Sequence, residues 1–433
     1  MTYHQQPSPT SHTSQILLLI FDFDHTLINV NSDLLPFQSP ETLPYGTQLS
    51  AQIPKLIERL GPKSWTRMMR LGLAALSRRE GYERAELEAC MRAVRMDEEL
   101  VKALQVLGAR SRLSDRRSAA GLGDRDEESE QGENEVTTRQ DSKSSGAPVV
   151  EMVIASDANN VFIETILNAN GLSSPTIFQN IYTNRAKWVS EPNLTEEDEG
   201  ILRSFDLELQ QSDDQSVRTT AKQGVPTAID LADKPILDVQ PYQSPSNPHD
   251  CTRCAPNMCK STILIQSKLD LGLNGASSQQ LRTVYVGDGF NDYCPALSLD
   301  TGDLLLVREG YALEKLLKRE QEEDKEAATE KDAAVSDAEV TEEGENRQGA
   351  EVMKTGAAQD HKSMKPKVKA EIKYWKTQAD LAVLLLQLTG AKGTARQSDV
   401  NIENVEITGP RQMPGEANSP GDLVQHFSKK AVL

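Results

Sequence analysis

Ile16-Leu17-Leu18-Leu19-Ile20-Phe21-Asp22-Phe23-Asp24-His25-Thr26 decides the fold of this 433-residue chain. The apolar run is continuous rather than alternating, so both of its faces want cover. That is the pattern of a parallel strand buried between two layers. The run is far too short to cross a membrane and ends at once in charge. Asp22 and Asp24 stand two residues apart, which on an extended chain points both carboxylates the same way. One can then attack an electrophile while the other gives and takes a proton. The bland alternative is a strand that merely ends in solvated aspartates.

Further buried runs follow downstream: Val149–Ala155, Thr283–Val286 and Leu304–Val307. Helical spacing fills the intervals, over Leu49–Leu107, Asn160–Ala169 and Ala370–Leu388. Strands alternating with helices predict an open α/β sheet, in which ligands bind beyond the carboxyl ends of the strands. Polar clusters stand at those ends. Ser156-Asp157-Ala158-Asn159-Asn160 offers a hydroxyl and free backbone amides before a helix, suited to phosphate oxygens or, more plainly, to a helix cap. Gly287-Asp288-Gly289-Phe290-Asn291-Asp292 packs carboxylates into a glycine-permitted loop, which suits a hard, oxygen-liking cation or an ordinary acidic turn. Lys260, at an expected helix start between these clusters, supplies the cation that a phosphoryl-transfer site needs.

These clusters and the lysine, in this order, resemble the haloacid-dehalogenase superfamily. The wider stretches sharpen the likeness: Phe21–Leu27 with Asn31-Ser32-Asp33, Ile154–Asn159, Tyr182-Thr183-Asn184, His249 to Lys260, and Tyr285 to Pro295. They are similar to the subgroup of phosphoethanolamine/phosphocholine and pyridoxal phosphate phosphatases. The resemblance implies a Rossmann-like core with a helical cap and long disordered insertions. It makes Asp22 the nucleophile and Asp24 the general acid/base. It further implies Mg²⁺ held by the Asp22 carboxylate, the Asp24 carbonyl and Asp288, with Asp292 supporting the metal from behind. Thr26 and Ser156 would orient phosphate, with Asn159 beside them. Asp33 and Asp157 match acidic positions associated with substrate binding, and a carboxylate suits an ammonium or choline head group. The expected reaction is hydrolysis of a small phosphomonoester, phosphoethanolamine/phosphocholine foremost, with pyridoxal phosphate or thiamine monophosphate as alternatives. A phosphotransferase, a dehalogenase or a catalytically silent binding core are the competing readings.

The composition is poor in core formers, with 37% hydrophobic and 5% aromatic residues. The expected division is a tail at 1–14, core at 15–33, helical cap at 34–108 and a disordered insertion at 109–148. Core resumes at 149–193, a polar insertion follows at 194–247, and core returns at 248–319. An acidic disordered insertion at 320–368, a core helix at 369–390 and a tail at 391–433 complete it. Lys plus Arg number 47 against 65 Asp plus Glu, a net charge of −18. Such a surface repels nucleic-acid backbones in the mean. The expected partner is a small phosphorylated metabolite, with no nucleic acid and no membrane, in a cytoplasmic, reducing setting. Three of the five cysteines crowd at Cys251, Cys254 and Cys259 beside His249. Cys-x-x-Cys is half of a zinc site, yet the following Cys-x4-Cys is cramped and no second Cys-x-x-Cys exists. The other reading is a cysteine-rich loop that delivers Lys260. Cys90 and Cys294 are expected to be packed thiols.

Overall fold

The computed structural model describes residues 15–38, 56, 58–60, 65–80, 83–111, 148–192, 194–210, 235–271, 281–338 and 366–390. Its strands are β1 (Ile16–Phe21), β2 (Val149–Asn159), β3 (Asn180–Val189), β4 (Ile236–Gln240), β5 (Leu281–Gly287), β6 (Leu304–Arg308) and β7 (Glu371–Trp375). The helices are α1 (Leu35–Gln38), α2 (Trp65–Glu80), α3 (Arg84–Arg92), α4 (Glu98–Gly108), α5 (Asn160–Ala169) and α6 (Glu196–Gln210). After them come α7 (Lys260–Asp270), α8 (Tyr293–Ala296), α9 (Ala312–Ala338) and α10 (Gln378–Leu388).

The strands form one sheet in the order β4-β3-β2-β1-β5-β6-β7, parallel throughout except for the antiparallel β3–β4 pair. Every residue of β1 is buried, as its unbroken apolar run demands. Its side chains alternate between two cores. Leu17, Leu19 and Phe21 join residues of α4, α5 and α10 on one face. Leu18 and Ile20 meet Ile263, Leu264, Leu313 and Leu317 of α7 and α9 on the other. Each such side chain contributes about 1.5–3 kcal/mol of burial, so β1 is the spine of a three-layer α/β core.

The chain leaves β1 for β2 on one side and later returns to β5 on the other, with Phe21 in register with both Ile154 and Val286. This reversal opens a crevice at the carboxyl ends of β1, β2 and β5.

Several segments differ from the expected division. The stretch 194–247 carries α6 and β4. Asp198 of α6 is fully buried between Arg67 and Arg70 of α2, 2.8 and 3.0 Å away, so acidic composition there encodes a helix–helix contact. In 320–368, α9 continues to Ala338. In 369–390, β7 precedes the helix as an edge strand paired with β6. Helix α4, assigned above to the cap, packs against α10 and β2 and belongs to the core layers. Residues 1–14, 112–147 and 391–433 lie outside the described residues. Among the described residues no helix is long and apolar enough to cross a membrane.

Candidate active site

Asp22 follows β1 directly, and its N–H still bonds Val286 O of β5 at 2.9 Å. The strand thus delivers the carboxylate into the crevice while sheet hydrogen bonding holds its backbone. Asp22 Oδ1 accepts from Phe23 N at 2.7 Å, and Oδ2 lies 2.8 Å from Lys260 Nζ. Lys260 opens α7 and is 1% exposed. Its ammonium also reaches Asp292 Oδ1 at 2.8 Å. Burial opposes charge on this lysine, but Asp22 and Asp292 outweigh it and hold its pKa above the ordinary lysine range.

Asp292 is the hub of the loop after β5. Its Oδ1 accepts from Tyr285 OH at 2.7 Å as well as from Lys260, and its Oδ2 accepts from Asp288 N at 3.0 Å and Gly289 N at 2.8 Å. A carboxylate has about four lone-pair sites, so Asp292 is saturated. It braces the loop and the lysine. Gly287 is required here for proximity: a Cβ at that position would sit 2.5 Å from Asp292 Cγ.

Asp288 meets Thr26 Oγ1 at 3.1 Å, which joins the β1 and β5 loops. Asp24 is half-buried at the turn, where its Oδ1 accepts from Ser32 N at 3.0 Å. Burial, reinforced by Asp33, pushes the Asp24 carboxyl up to about 7. Asp33 is 4% exposed, and its Oδ2 accepts from Trp65 Nε1 of α2 at 2.8 Å. Burial pushes it up to about 7 also. Ser156 Oγ accepts from Ala158 N at 3.2 Å near the end of β2. Asn159 caps α5, with its Oδ1 accepting from Phe162 N at 3.1 Å, and lies close enough to Asp33 to favour its charge. Asp157 is tied by amides on both oxygens, Asn257 Nδ2 at 3.0 Å and Asn291 Nδ2 at 2.7 Å. The structure therefore gathers Asp22, Asp24, Thr26, Lys260, Asp288 and Asp292 at one point, with Asp33, Ser156, Asp157 and Asn159 around it.

Several participants were not singled out from the sequence. Tyr285 sits among aliphatic residues in a buried strand, where a phenol must find a partner; that was a legible signal. Asn257 and Asn291 lock Asp157 between two loops. Arg308 at the end of β6 donates to His25 O and to Asn29 Oδ1, the latter at 2.7 Å. It thereby holds the turn after Asp24, where His25 adopts a left-handed φ of 55°. No spacing in the sequence announces that contact.

The donor chemistry fits a hard divalent cation. Asp22, Asp288 and Asp292 bring carboxylate oxygens within 4.8 Å of one another, all buried, against the single ammonium of Lys260. Three negative charges facing one positive leave an excess of two. Burial, together with mutual repulsion, pushes Asp22 and Asp288 well above the usual carboxylate range. An ion of charge two would remove that penalty.

A strand-end aspartate, a buried lysine and an acidic loop on this sheet form a site that resembles those of haloacid-dehalogenase phosphatases. Comparison with known proteins agrees. Residues 223–340 match the family model described as Putative Phosphatase. The pyridoxal phosphate phosphatase PHOSPHO2 of Mus musculus is 25% identical over 306 residues, 70% of this chain and 86% of the relative. That of Bos taurus is 28% identical over 172 residues, covering 39% of this chain and 49% of the relative, so this alignment spans about half the relative's length. A thiamine phosphate phosphatase-like protein of Arabidopsis thaliana is 24% identical over 300 residues, 69% of this chain and 82% of the relative. The chain is thus similar to phosphatases, the pyridoxal phosphate phosphatases among them.

Proposed function

We propose that this protein hydrolyses a small phosphomonoester bearing a cationic group, most readily phosphoethanolamine or phosphocholine, through a phosphoryl group carried on Asp22. The observation that carries this reading is the ion pair of Asp22 with buried Lys260, 2.8 Å apart, at the reversal point of the sheet.

In the first half-reaction an oxygen of Asp22 bonds to phosphorus as the ester P–O bond breaks. The departing oxygen takes the proton of Asp24. In the second, Asp24 as carboxylate removes a proton from water, whose oxygen bonds to phosphorus and releases Asp22 and inorganic phosphate. A carboxyl with a pKa of about 7 is populated in both forms near neutrality, which suits one group to both tasks. Lys260 offsets charge on Asp22 and the transferring phosphoryl group, while Thr26 and Ser156 orient its oxygens. Asp22, the Asp24 carbonyl and Asp288 would hold Mg²⁺, which when bound offsets phosphoryl charge; Asp292 supports them through Asp288 N and Gly289 N.

Asp33 and Trp65 support the choice of substrate. Their contact sets a buried carboxylate beside an indole, a pairing suited to an ammonium. Pyridoxal phosphate is the second reading, favoured by the activity for which the mouse and cattle relatives are named.

The test is phosphate release from a panel of phosphomonoesters with Mg²⁺ supplied or withheld. Mg²⁺-dependent release with preference for the amine esters is expected. Absence of release from every ester by folded protein would overturn the phosphatase proposal, and a preference for pyridoxal phosphate would overturn the substrate choice.

A further inference from the structure

The loop that ends at Lys260 holds a second constellation, remote in chemistry from the carboxylates. Cys251, Cys254, Cys259 and Cys294 bring their sulfurs within 4.8 Å of one another. Cys251 Sγ lies 3.5 Å from Cys294, Cys254 Sγ 3.7 Å from Cys259, and Cys259 Sγ 3.9 Å from Cys294. Zinc–thiolate bonds of about 2.3 Å directed to tetrahedral corners put sulfurs about 3.8 Å apart. The observed separations scatter about that edge. No disulfide joins any of these residues.

We infer that Cys251, Cys254, Cys259 and Cys294 form a structural zinc site that ties the Lys260 loop to the Asp292 loop.

The membership corrects the expectation from sequence. Cys294, expected to be only a packed thiol, supplies the fourth sulfur. His249 is engaged elsewhere: its Nε2 lies 2.8 Å from Ala255 O, a pure acceptor, so that nitrogen carries a proton and donates. The cramped Cys-x4-Cys spacing is resolved because Cys254 lies in the loop and Cys259 stands at the cap of α7.

Binding Zn²⁺ releases four thiol protons to solvent and leaves a complex of net charge −2. The surroundings match that charge. The Arg253 guanidinium hydrogen-bonds Cys294. Thr262 gives Cys259 hydrogen bonds from its hydroxyl and its backbone N–H. These donors resemble the outer supports that orient metal ligands and offset their charge. With ligands closed on all four corners and no place left for water, the site fits a structural role. Its mechanical effect is specific. Cys259 immediately precedes Lys260, and Cys294 comes two residues after Asp292. One ion would thus fix the two ends of the 2.8 Å Lys260–Asp292 contact.

Zinc is measured directly in the full chain purified with a non-chelating reductant, and cobalt is then exchanged into it. About one zinc per chain is expected, with the absorption of tetrahedral thiolate-bound Co²⁺. Cys251→Ser and Cys294→Ser should each lower zinc below about 0.2 per chain, while Cys90→Ser, in α3, should keep about one. Should Cys294→Ser fail to fold, a mercurial titrated into the native chain should release the zinc as the cluster thiols are consumed. Folded protein with less than about 0.1 zinc and no such cobalt spectrum would overturn the site. So would zinc that survives both serine variants, or a mass showing these cysteines joined as disulfides. The readout needs no turnover, so an inactive chain with about one zinc would sink the phosphatase proposal and leave this one standing.

Discussion

Asp292→Asn separates a brace from a mere acidic neighbour. The native carboxylate serves Lys260 and Tyr285 on one oxygen and the N–H groups of Asp288 and Gly289 on the other. Asparagine keeps the shape but replaces one oxygen with an NH₂ group. If that group faces the backbone, the buried N–H of Asp288 and the half-buried N–H of Gly289 lose their acceptor. If it faces Lys260, the ammonium loses one, although the phenol of Tyr285 can turn to accept. Each buried donor left without a partner costs about 1–3 kcal/mol, and more when charged, so the expected loss is about 2–6 kcal/mol. An opposing effect exists, since removing this charge relieves repulsion on Asp22 and Asp288. Saturating Mg²⁺ should suppress that relief by neutralising the same charges. The assay is therefore urea unfolding with Mg²⁺ present, paired with the rate of phosphate release. Because Lys260 loses one of its two carboxylate anchors, kcat should fall at least about 100-fold. A variant within about 0.5 kcal/mol of the parent, with kcat changed less than about threefold, would refute the bracing argument.

Gly287→Ala should act through the same hub, because the added Cβ would stand 2.5 Å from Asp292 Cγ. Relieving that overlap should cost about 1–3 kcal/mol in unfolding experiments and lower kcat; unchanged values would mean the loop has room that the geometry denies. Asp33→Ala should raise KM for phosphocholine about tenfold more than for glycerol phosphate; equal losses would remove Asp33 from recognition. The pH dependence follows in sign from the same residue. The raised pKa leaves Asp33 neutral below about 7 and charged above it, so the preference of kcat/KM for phosphocholine over glycerol phosphate should grow as pH rises through about 7. Taking the ratio cancels the titration of Asp24, and a ratio that stays flat in the parent once each ester's own ionisation is divided out would contradict the assignment.

The crevice at the strand ends is legible because its residues follow strands whose apolar runs declare themselves. Asp22, Ser156 and Asp288 can be placed near one another once β1, β2 and β5 are recognised as parallel neighbours. Other parts were hidden for physical reasons. β4 is only five residues long, Ile236–Gln240, within a polar stretch, and takes its stability from β3 and α2. β7 is an edge strand beside a helix, and their apolar positions merge into one apparent helical pattern. The burial of Asp198 depends on two arginines that lie more than a hundred residues earlier. Cys294 joins the other thiols only because the loop after β5 folds against the start of α7. Local pattern reveals strands and strand-end chemistry; it does not reveal which distant loop completes a cluster.

The central claim, that Asp22 carries the phosphoryl group, is tested most directly by rapid acid quench of the enzyme during turnover of phosphocholine, followed by mapping of the modified peptide. The account predicts an acid-stable, hydroxylamine-sensitive phosphoryl group on Asp22, absent from Asp22→Asn, which should stay folded and inactive. Steady turnover with the phosphoryl group on another residue, or wild-type rates from Asp22→Asn, would contradict it.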